Sequence, residues 1–472
     1  MKNKIIDINK KTYLTIVVML FILMICSIII THVVDKGTFL TYTNEFGETV
    51  FDYSKYIKLP DKSGVNIFKG IASPILVLFS KDGLSLLMLS IFILVIAGAF
   101  QVMINTGGMQ VIVYYFIDKF KDSKRLLVAI VTMIFMLFGS FFGLFEEMLG
   151  LLPMIVILAI SLGYDGFTGF LMCIVGCSFG FASAITNPFT VVSASSIIGV
   201  SPMYNLWFRI LVFLAMYCFV LGFIFLHIRK ITKNPQSSPT YEVDCKKREM
   251  LEEFSEIKND KRVFRTYVIF MITTLLSTMI ITSIEALRSY SVVFLIAIFL
   301  IGGLLAGLIA SNNLKQTLIG FGKGIVSALP TILLILMASS IKFILEEGSV
   351  IATIANSIST MVSGKNPFLM ALLIYFIIMF IEFFISSSTA KAVFVMGILS
   401  ILNISLSKEL MVLLYLFGDG YTNVLFPTSP VLLLALSMVG INYFTWLKRG
   451  KWFFLFNLLI VVGLIALALL VY

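Results

Sequence analysis

The sequence predicts an all-α polytopic membrane protein, and two observations lead to that fold class. Hydrophobic residues make up 59% of the 472 residues and charged residues only 13%, whereas soluble proteins have roughly 45–50% and about 25%. The apolar residues also form about 11–12 segments near 20 residues long, the length that a helix needs to cross a bilayer. This composition excludes a disordered chain, a disulfide scaffold and a nucleic-acid-binding module.

The charge and cysteine content narrow the class further. A net charge of +10 comes from 35 Lys and Arg against 25 Asp and Glu, an excess that in membrane proteins collects in cytoplasmic loops. Four of the five cysteines lie in apolar runs, so buried thiols are favoured over a metal pair at Cys173 and Cys177. Two histidines are too few for a His-rich zinc site, and no cofactor is expected.

The domain prediction divides the chain into two transmembrane halves. Residues 1–228 form the first half, with a repeat core at about 126–228, and residues 266–472 form the second, with a repeat core at about 366–472. Residues 229–265 contain ten Lys or Arg and seven Asp or Glu and are predicted to be a cytoplasmic polar linker.

The N-terminal residues set the expected orientation. The basic start MKNKIIDINKK precedes an apolar run from about Leu14 to Val34, too long for a signal peptide and without an A-x-A-like end. We therefore expect an uncleaved first span, a cytoplasmic N-terminus and residence in the inner (plasma) membrane. Residues 35–64 have four Lys against five Asp and Glu, which favours an outside loop.

Two segments of the sequence resemble each other and indicate an inverted repeat. Residues 180–209 and 420–449 each contain a Gly, a Thr-Asn, a Pro followed by Ser or Thr, a later Gly and a Trp near the end. Basic residues follow the last span of the first half but precede the matching span of the second half. Equivalent spans then run in opposite directions, an arrangement common in secondary transporters.

Both halves contain a polar interruption of an apolar run, at matching places. The first comprises Ser183, Thr186-Asn187-Pro188, Thr190, Ser193, Ser195 and Ser196, and the second Gly418-Asp419-Gly420, Thr422-Asn423 and Pro427-Thr428-Ser429-Pro430. Proline and glycine free backbone groups at membrane depth, which persist only where they are buried or line a watery cavity. Paired interruptions of this kind mark binding sites in repeat transporters. The alternative is a pair of polar loop tips outside the hydrocarbon.

Ionisable residues lie upstream of each interruption. Glu146 and Glu147 stand among Phe, Leu and Met, where a carboxylate costs roughly 2.5–3.5 kcal/mol unless it has a partner, an ion or a proton. The alternative is that one of them caps the following helix. The second segment contains Glu382, the run Ser386, Ser387, Ser388 and Thr389, and Lys391. Its hydroxyls could bind Na⁺ or a carboxylate or help helices pack, and its ammonium could neutralise an anion or a facing glutamate.

Three other charged residues are interpreted by their neighbours in the sequence. Asp165 in GYDG has glycines close on both sides and is expected in a short turn between helices. Arg209 is expected to anchor the end of a span. Asp419 lies within the second interruption and ranks above both as a functional residue.

The motifs FEEMLGLLP, AITNPF, EFFISSSTAKA and LFGDGYTNVLFPTSP, in this order, resemble the YfcC branch of the anaerobic four-carbon-dicarboxylate carrier family. The resemblance covers nearly all of the chain from about residue 84. It implies a secondary carrier with two inverted repeats, each containing a re-entrant hairpin and a broken helix. Members include dicarboxylate carriers, basic amino-acid antiporters and arginine/ornithine exchangers. The motif positions fall on Glu146, Glu147, Asn187, Pro188, Gly418, Asp419, Gly420, Asn423, Pro427, Thr428 and Ser429.

The sequence departs from its relatives in the second hairpin. Where many of them read P-S-G-S-G-Q, this chain reads S-S-S-T-A-K and ends on Lys391. A cation thus replaces a neutral amide and two glycines are lost, which leaves the substrate and the need for a coupling cation open.

The leading hypothesis is a secondary active transporter that moves a small carboxylate-bearing metabolite by alternating access, in exchange or ion-coupled mode. Buried glutamates favour a substrate with a positive group, and Lys391 with the serines favours a carboxylate, so an amino acid such as arginine or ornithine satisfies both. A succinate- or fumarate-type dicarboxylate is the alternative. A channel or an intramembrane aspartyl protease-like enzyme belongs to another class. The enzyme is disfavoured because Leu416 stands where its motif needs Gly.

The expected binding set follows from these segments, with Na⁺ at carbonyls near Asn187 and Asn423 or a proton as coupling ion. Its members are Glu146, Glu147, Thr186, Asn187, Pro188, Ser387, Ser388, Thr389, Lys391, Gly418, Asp419, Thr422, Asn423, Thr428 and Ser429.

The expected partners are the lipid bilayer and a small-molecule substrate. Whether the chain forms a homodimer is left open by the sequence.

Overall fold

The computed structural model describes residues 10–43, 49–60, 63–81, 83–112, 115, 122–253, 260–288, 290–362, 365–385, 388–401 and 405–472. The fold class is confirmed: the chain is a helical membrane protein. Within the described residues, six helices are long and apolar enough to cross a bilayer, and shorter apolar helices accompany them.

The N-terminal part contains a feature that the sequence analysis did not predict. Helix α1 (Lys10–Val33) is followed by an antiparallel hairpin of β1 (Gly37–Thr43) and β2 (Thr49–Lys58), then by α2 (Ile67–Leu76) and α3 (Gly83–Asn105). Gly37 pairs with Lys58, and the register shifts between Phe39 and Leu40. Aromatic and β-branched residues in this loop favour a pleated pair. We call the face that contains it the sheet side.

The first repeat begins with a re-entrant hairpin, called the first hairpin. It consists of α4 (Lys124–Leu137), a π-helical turn (Phe138–Phe142), a tip at 143–147 and α5 (Met148–Ser161). Lys124 Nζ, at the start of α4, donates to the carbonyl of Leu162, just past the end of α5, at 3.0 Å. The two arms therefore begin and end at the same face of the protein.

A broken helix follows the first hairpin. It runs through α6 (Gly166–Phe170), a π-helical turn (Leu171–Val175) and α7 (Gly176–Ala182), is interrupted at 183–187, and resumes as a second π-helical turn (Pro188–Val192) and α8 (Ser193–Ile198). Helix α9 (Leu206–Lys233) returns across the bundle, and α10 (Tyr241–Glu253) lies in the linker segment. We call the face that contains α10 the linker side.

Four helical regions connect the two repeats. They are α11 (Lys261–Ser283) with the short α12 (Glu285–Arg288), α13 (Ser291–Ala297) continued through a π-helical turn (Ile298–Gly302) into α14 (Gly303–Ser311), α15 (Leu314–Glu347), and α16 (Ile351–Val362). The β-hairpin packs against α16, since the hydroxyls of Tyr56 and Thr353 are 2.8 Å apart.

The second repeat has the same order of elements. The second hairpin consists of α17 (Pro367–Glu382) and α18 (Ser388–Ile401), and the second broken helix of α19 (Lys408–Gly420), a 3₁₀ turn (Tyr421–Val424) and α20 (Pro430–Val439), before α21 (Tyr443–Val471). Ile398 near the end of α18 packs on Phe39 of β1, so this hairpin enters from the sheet side, opposite to the first.

The contacts at the two faces show that the repeats are inverted. Helix α6 starts at the linker side, where the Gly166 amide donates to Asp244 of α10 at 2.8 Å. Helix α20 ends there, because Lys247 of α10 reaches the carbonyl of Met438 at 3.5 Å. At the opposite face Glu409, at the start of α19, lines the same pocket as Ser201, just past α8. The two broken helices therefore run antiparallel, as the repeat predicted.

The broken helices lie in the centre of the bundle. Every residue from Gly166 to Ala182 is buried, and so is every residue from Leu410 to Val424. The longer helices α9 and α21 surround them and expose large apolar side chains such as Leu214 and Leu459. That distribution suits a lipid-facing outer layer around a protein-filled interior.

Candidate functional site

The first interruption is held by the side chain of Asn187, which is fully buried. Its Oδ1 accepts from the amide of Phe189 at 2.8 Å and so caps the helix that starts at Pro188. Its Nδ2 donates to the carbonyl of Gly139 in the first hairpin at 3.1 Å. Both ends of the amide are thus occupied by backbone, and Asn187 joins the break to the hairpin.

Ser140 supplies the rest of the contact between the first hairpin and this break. Its Oγ donates to the carbonyl of Ser183 at 3.0 Å and accepts from the amide of Ile185 at 3.0 Å. The Ser140 carbonyl accepts from the amide of Thr186 at 3.2 Å. Thr186 Oγ1 lies 3.4 Å from the carbonyl of Phe141 and is half-buried. Neutral groups therefore satisfy the backbone that the interruption frees.

Glu146 and Glu147 lie at the tip of the first hairpin, next to this contact. The Glu146 side chain is exposed and that of Glu147 is half-buried. Glu147 occupies the N-cap position of α5, but its side chain makes no capping hydrogen bond, so the capping alternative is not realised. Among the described residues neither carboxylate has an ion-pair partner. No cation among the described residues therefore neutralises either carboxyl group.

The tip turns at Gly143, which has a φ of +69°. This left-handed conformation favours glycine, and a Cβ at Gly143 would also collide with Asn187 and Phe189. The turn thus brings the tip against the break.

The second interruption satisfies its own carbonyls in a similar way. Thr422 Oγ1 donates to the carbonyl of Gly418 at 2.8 Å, and Asn423 Nδ2 to that of Asp419 at 3.2 Å. From α21, Trp446 Nε1 donates to the Val424 carbonyl at 2.7 Å and the Tyr443 hydroxyl to the Leu425 carbonyl at 2.8 Å. These polar side chains therefore donate to backbone carbonyls that the break leaves without a helical partner.

The helix that follows this break begins with the same device as its counterpart. Ser429 is the N-cap of α20, and its Oγ accepts from the amide of Leu432 at 3.4 Å. Pro430 takes the first helical position, as Pro188 does after Asn187. Thr428 is buried beside Ser429.

A buried charge cluster joins the second hairpin to the second broken helix. Lys391 of α18 is fully buried, and its ammonium pairs with Glu382 at the end of α17 and with Asp419 near the end of α19. Ser388 Oγ donates to both carboxylate oxygens of Asp419, at 3.1 and 3.0 Å. Of the two expected roles of Lys391, neutralising an anion or a facing glutamate, the structure shows the pairing with a glutamate. We call Glu382, Lys391, Asp419 and Ser388 the charge cluster.

The two interruptions meet at the centre. Ser178 Oγ on α7 donates to the carbonyl of Gly420 at 2.7 Å. Gly420 packs on the backbone of Ala182 so closely that a Cβ at 420 would collide with it. Asn187 and Asp419 are fully buried, so the two interruptions lie inside the protein and not at exposed loop tips.

Some residues of the predicted binding set lie outside the described part of the structure or have another role. Ser387, and with it Ser386, lies outside the described residues, and so does the side chain of Thr389. Gly418 packs against Ile378 of α17, which assigns it to helix packing. No ion pair among the described side chains links Glu146 or Glu147 to the charge cluster.

Sequence reasoning passed over several residues of this region. Glu382 stood in a quoted motif but outside the predicted binding set, although charge counting in a charge-poor stretch could have paired it with Lys391. Ser140, Ser178 and Tyr415 gave no signal, because a lone hydroxyl in an apolar run is common. The Tyr415 hydroxyl donates to the carbonyl of Ser388 and steadies the start of α18.

Asp165 lies far from this region, at the linker side. It is the N-cap of α6, as the expected turn requires, and its Oδ2 accepts from His227 at 2.9 Å and from Ser238 at 2.7 Å. Burial raises the pKa of Asp165, but hydrogen bonds from His227, Thr168 and Ser238 with the His227 charge bring it below its usual range. Arg209, in the first turn of α9, donates to the carbonyls of Pro202 and Tyr204, which fits the expected anchor.

The linker helix α10 docks on this corner through Asp244. Its Oδ2 accepts from the amide of Gly166 and, at 2.5 Å, from Thr240 Oγ1. Burial dominates and raises the pKa of Asp244 to about 6. Asp165 and Asp419 have different neighbours, so the two aspartates of GYDG and FGDG form no catalytic pair.

The described residues contain no cluster of three or more His, Cys, Asp or Glu side chains placed to hold a metal ion. Cys173 and Cys177 are buried free thiols.

Comparison with known proteins decides the family. A family model described as the C4-dicarboxylate anaerobic carrier, DcuC, matches residues 14–472. The chain belongs to this carrier family. It is therefore a multi-pass membrane transporter and not an enzyme, as the sequence predicted. The resemblance found in its motifs is confirmed over nearly the whole length of the chain.

Two proteins are similar to this chain along most of their length. The Escherichia coli protein named "Putative basic amino acid antiporter YfcC" is 27% identical over 437 residues, 89% of this chain and 84% of that protein. An uncharacterised Haemophilus influenzae protein is 25% identical over 363 residues, 76% of this chain and 70% of that protein.

Two solved structures are also similar to this carrier. MtrF of Neisseria gonorrhoeae, which represents a class of antimetabolite efflux pumps, has a TM-score of 0.45 and 14% identity over 95% of this chain and 94% of MtrF. The YdaH transporter of Alcanivorax borkumensis has a TM-score of 0.39 and 16% identity over 97% of each chain.

Proposed function

We propose that this carrier is a secondary active transporter for an amino acid with a cationic side chain, of the arginine and ornithine class, working by alternating access in exchange. The observation that supports it is the charge balance at the two hairpins. Four carboxylates, those of Glu146, Glu147, Glu382 and Asp419, accompany one ammonium, that of Lys391. The two hairpins together contain more carboxyl groups than cations, an imbalance that the guanidinium or ammonium of a substrate can offset.

The unpaired glutamates provide the contact for the cationic end. Glu146 and Glu147 have no ion-pair partner among the described residues and lie beside the break held by Asn187. A guanidinium can bind two carboxylate oxygens in parallel. The substrate carboxylate would then face hydroxyl and amide donors at the two breaks, where Thr428 and Ser429 precede α20.

A dicarboxylate is the second candidate, and the description of the family model favours it. Two negative charges would need more than one cation at the site, yet Lys391 is already paired with two carboxylates. A dicarboxylate could bind only after that pairing opens or after several carboxylates take up protons. That cost ranks it below the cationic amino acid.

Counterflow in proteoliposomes tests the proposal. Vesicles preloaded with unlabelled arginine should take up labelled arginine, and ornithine should compete while succinate and fumarate should not. The series is repeated with Na⁺ replaced by choline. Competition by succinate alone would support the dicarboxylate carrier, and uptake without stimulation by internal substrate would indicate a channel.

We also place the linker side in the cytoplasm. Lys124, Lys230 and Lys247 lie at this face, in agreement with the rule that positive residues remain inside. The N-terminus is proposed to lie there and the β-hairpin on the outer side of the plasma membrane. Labelling single cysteines in α10 and in the β-hairpin with an impermeant maleimide in intact cells checks both assignments, and cross-linking of the same variants checks the predicted homodimer.

A further inference from the structure

The charge cluster has the ligands of a cation site, and a lysine of the protein already occupies it. The Lys391 ammonium contacts one carboxylate from α17 and one from α19, and it donates to the carbonyl of Ile385 at 3.3 Å. The Ser388 hydroxyl donates to the Asp419 carboxylate and so holds that ligand in place. Carboxylate and carbonyl oxygens are ligands that hard cations take in proteins.

The position of this cluster suits coupling between moving parts. Glu382 is the last residue of α17, the first arm of the second hairpin, and Lys391 lies in the first turn of α18, its second arm. Asp419 lies near the end of α19, at the break. A cation bound there draws three segments together, and without one the two carboxylates repel each other. The ammonium thus does what a bound ion would do.

The carbonyls elsewhere at the breaks are engaged by donors of the protein. Gly139 accepts from Asn187, Ser183 from Ser140, Gly420 from Ser178 and Val424 from Trp446. The carbonyls near Asn187 and Asn423, at which the sequence analysis expected Na⁺, are therefore used in holding the backbone together.

We propose that Lys391 is a built-in countercation that occupies the coupling-cation site of this carrier, so that transport needs no Na⁺. Removing the ammonium should leave a vacant oxygen-lined site that Na⁺ enters. The proposal rests on the carrier function but not on which solute is carried, because its main test measures cation binding to the purified protein.

The experiment uses the full chain purified in detergent, with its Tm titrated by NaCl against choline chloride at constant ionic strength. The wild-type Tm should be the same in both salts. Lys391→Gln should gain a saturable rise in Tm with Na⁺ and should bind radioactive Na⁺ at about one ion per chain, because the two carboxylates then lack a counterion.

Two controls separate a built site from general charge effects. Lys408→Gln removes an exposed lysine of the same repeat and should show no Na⁺ response. Combining Lys391→Gln with Asp419→Asn removes one carboxylate ligand and should weaken Na⁺ binding about tenfold or more.

Three results would overturn the proposal. They are a saturable Na⁺-dependent rise in the wild-type Tm, wild-type uptake that stops without Na⁺, and a folded Lys391→Gln that binds no Na⁺. If Lys391→Gln does not fold in either salt, the proposal is tested by two wild-type measurements, the Tm in NaCl against choline chloride and the uptake without Na⁺. A failure to transport arginine would refute the proposed substrate and leave these measurements valid.

Discussion

The first and second hairpins occupy equivalent places in the two repeats, but they contact their broken helices in different ways. The first hairpin uses neutral groups: Ser140 and the carbonyl of Gly139 bind the backbone and Asn187 of the break. The second uses charges, with Lys391 between Glu382 and Asp419. Among the described residues, the carboxyl groups of the first tip have no ion-pair partner, whereas those of the second hairpin are paired with Lys391.

This difference separates two requirements that a carrier has to meet. Neutral hydrogen bonds can hold a break together whether or not a solute is present, which leaves Glu146 and Glu147 available for binding. A buried ion pair depends on every member, because removing one partner leaves an uncompensated charge in a low-dielectric interior. The second hairpin is therefore the part that should be most sensitive to charge changes.

Replacing Lys391 should have the largest effect. Lys391→Met leaves Glu382 and Asp419 ionised beside each other, and we expect a loss of about 3–5 kcal/mol of stability in choline salts. Thermal unfolding in detergent measures it. Adding Asp419→Asn should recover part of the loss, and Lys408→Met should have little effect. A Lys391→Met variant as stable as wild type would mean that the charge cluster does not hold the second hairpin.

The base of the first hairpin should respond to pH through Asp244. Because its pKa rises from 3.8 to about 6 on docking, the docked state binds its proton more tightly. Docking of α10 is then strongest below pH 3.8 and weakens by up to about 3 kcal/mol as pH rises to about 6. The effect of pH on Asp165 is opposite, because its pKa is lowered in the folded protein. Its contribution to stability is present at neutral pH and is lost only as the pH falls below its ordinary pKa.

Hydrogen exchange checks this pH dependence. Protection factors of α10, corrected for intrinsic exchange, should be higher at pH 5 than at pH 7. Asp244→Asn should abolish the difference, and Glu242→Gln, at an exposed position of the same helix, should keep it. Equal protection of wild-type α10 at both pH values would exclude Asp244 as the titrating group.

Loss of Ser140 should weaken the neutral contact by a smaller amount. Ser140→Ala removes the donor to the buried Ser183 carbonyl, while the Ile185 amide keeps its bond to the Ser140 carbonyl, and should cost about 1–3 kcal/mol. Ser196→Ala, at an exposed hydroxyl of the same repeat, should change stability by less than about 0.5 kcal/mol. Similar melting points for the two variants would show that the break does not depend on Ser140.

The free carboxylates should matter for transport more than for stability. Glu146→Gln or Glu147→Gln should lower the efficiency of arginine uptake about tenfold, equivalent to about 1.4 kcal/mol, while the Tm changes little. Glu242→Gln is the matched control. If both tip variants keep wild-type uptake and its pH dependence, the role proposed for these glutamates is wrong.

The sequence predicted much of this arrangement because its signals are local. Prolines, glycines and hydroxyls in apolar runs marked both breaks, and Glu146 with Glu147 marked the first tip. The pairing of Lys391 with Asp419 was not predictable in the same way, since the two lie 28 residues apart in the sequence on different helices. The β-hairpin was not predicted, because the charge balance of residues 35–64 indicates the side of the membrane on which this loop lies and not its secondary structure.

The sequence by itself determined that this protein spans a membrane, that its halves run in opposite directions and where its helices break. Lipid requires long apolar runs, so each departure from them is visible residue by residue. Only the tertiary structure decided that Asn187 and Asn423 bind backbone, that Lys391 pairs with two carboxylates and that Glu146 and Glu147 have no ion-pair partner among the described residues. Which charges are paired depends on distances between segments far apart in the chain, and neither composition nor periodicity contains those distances.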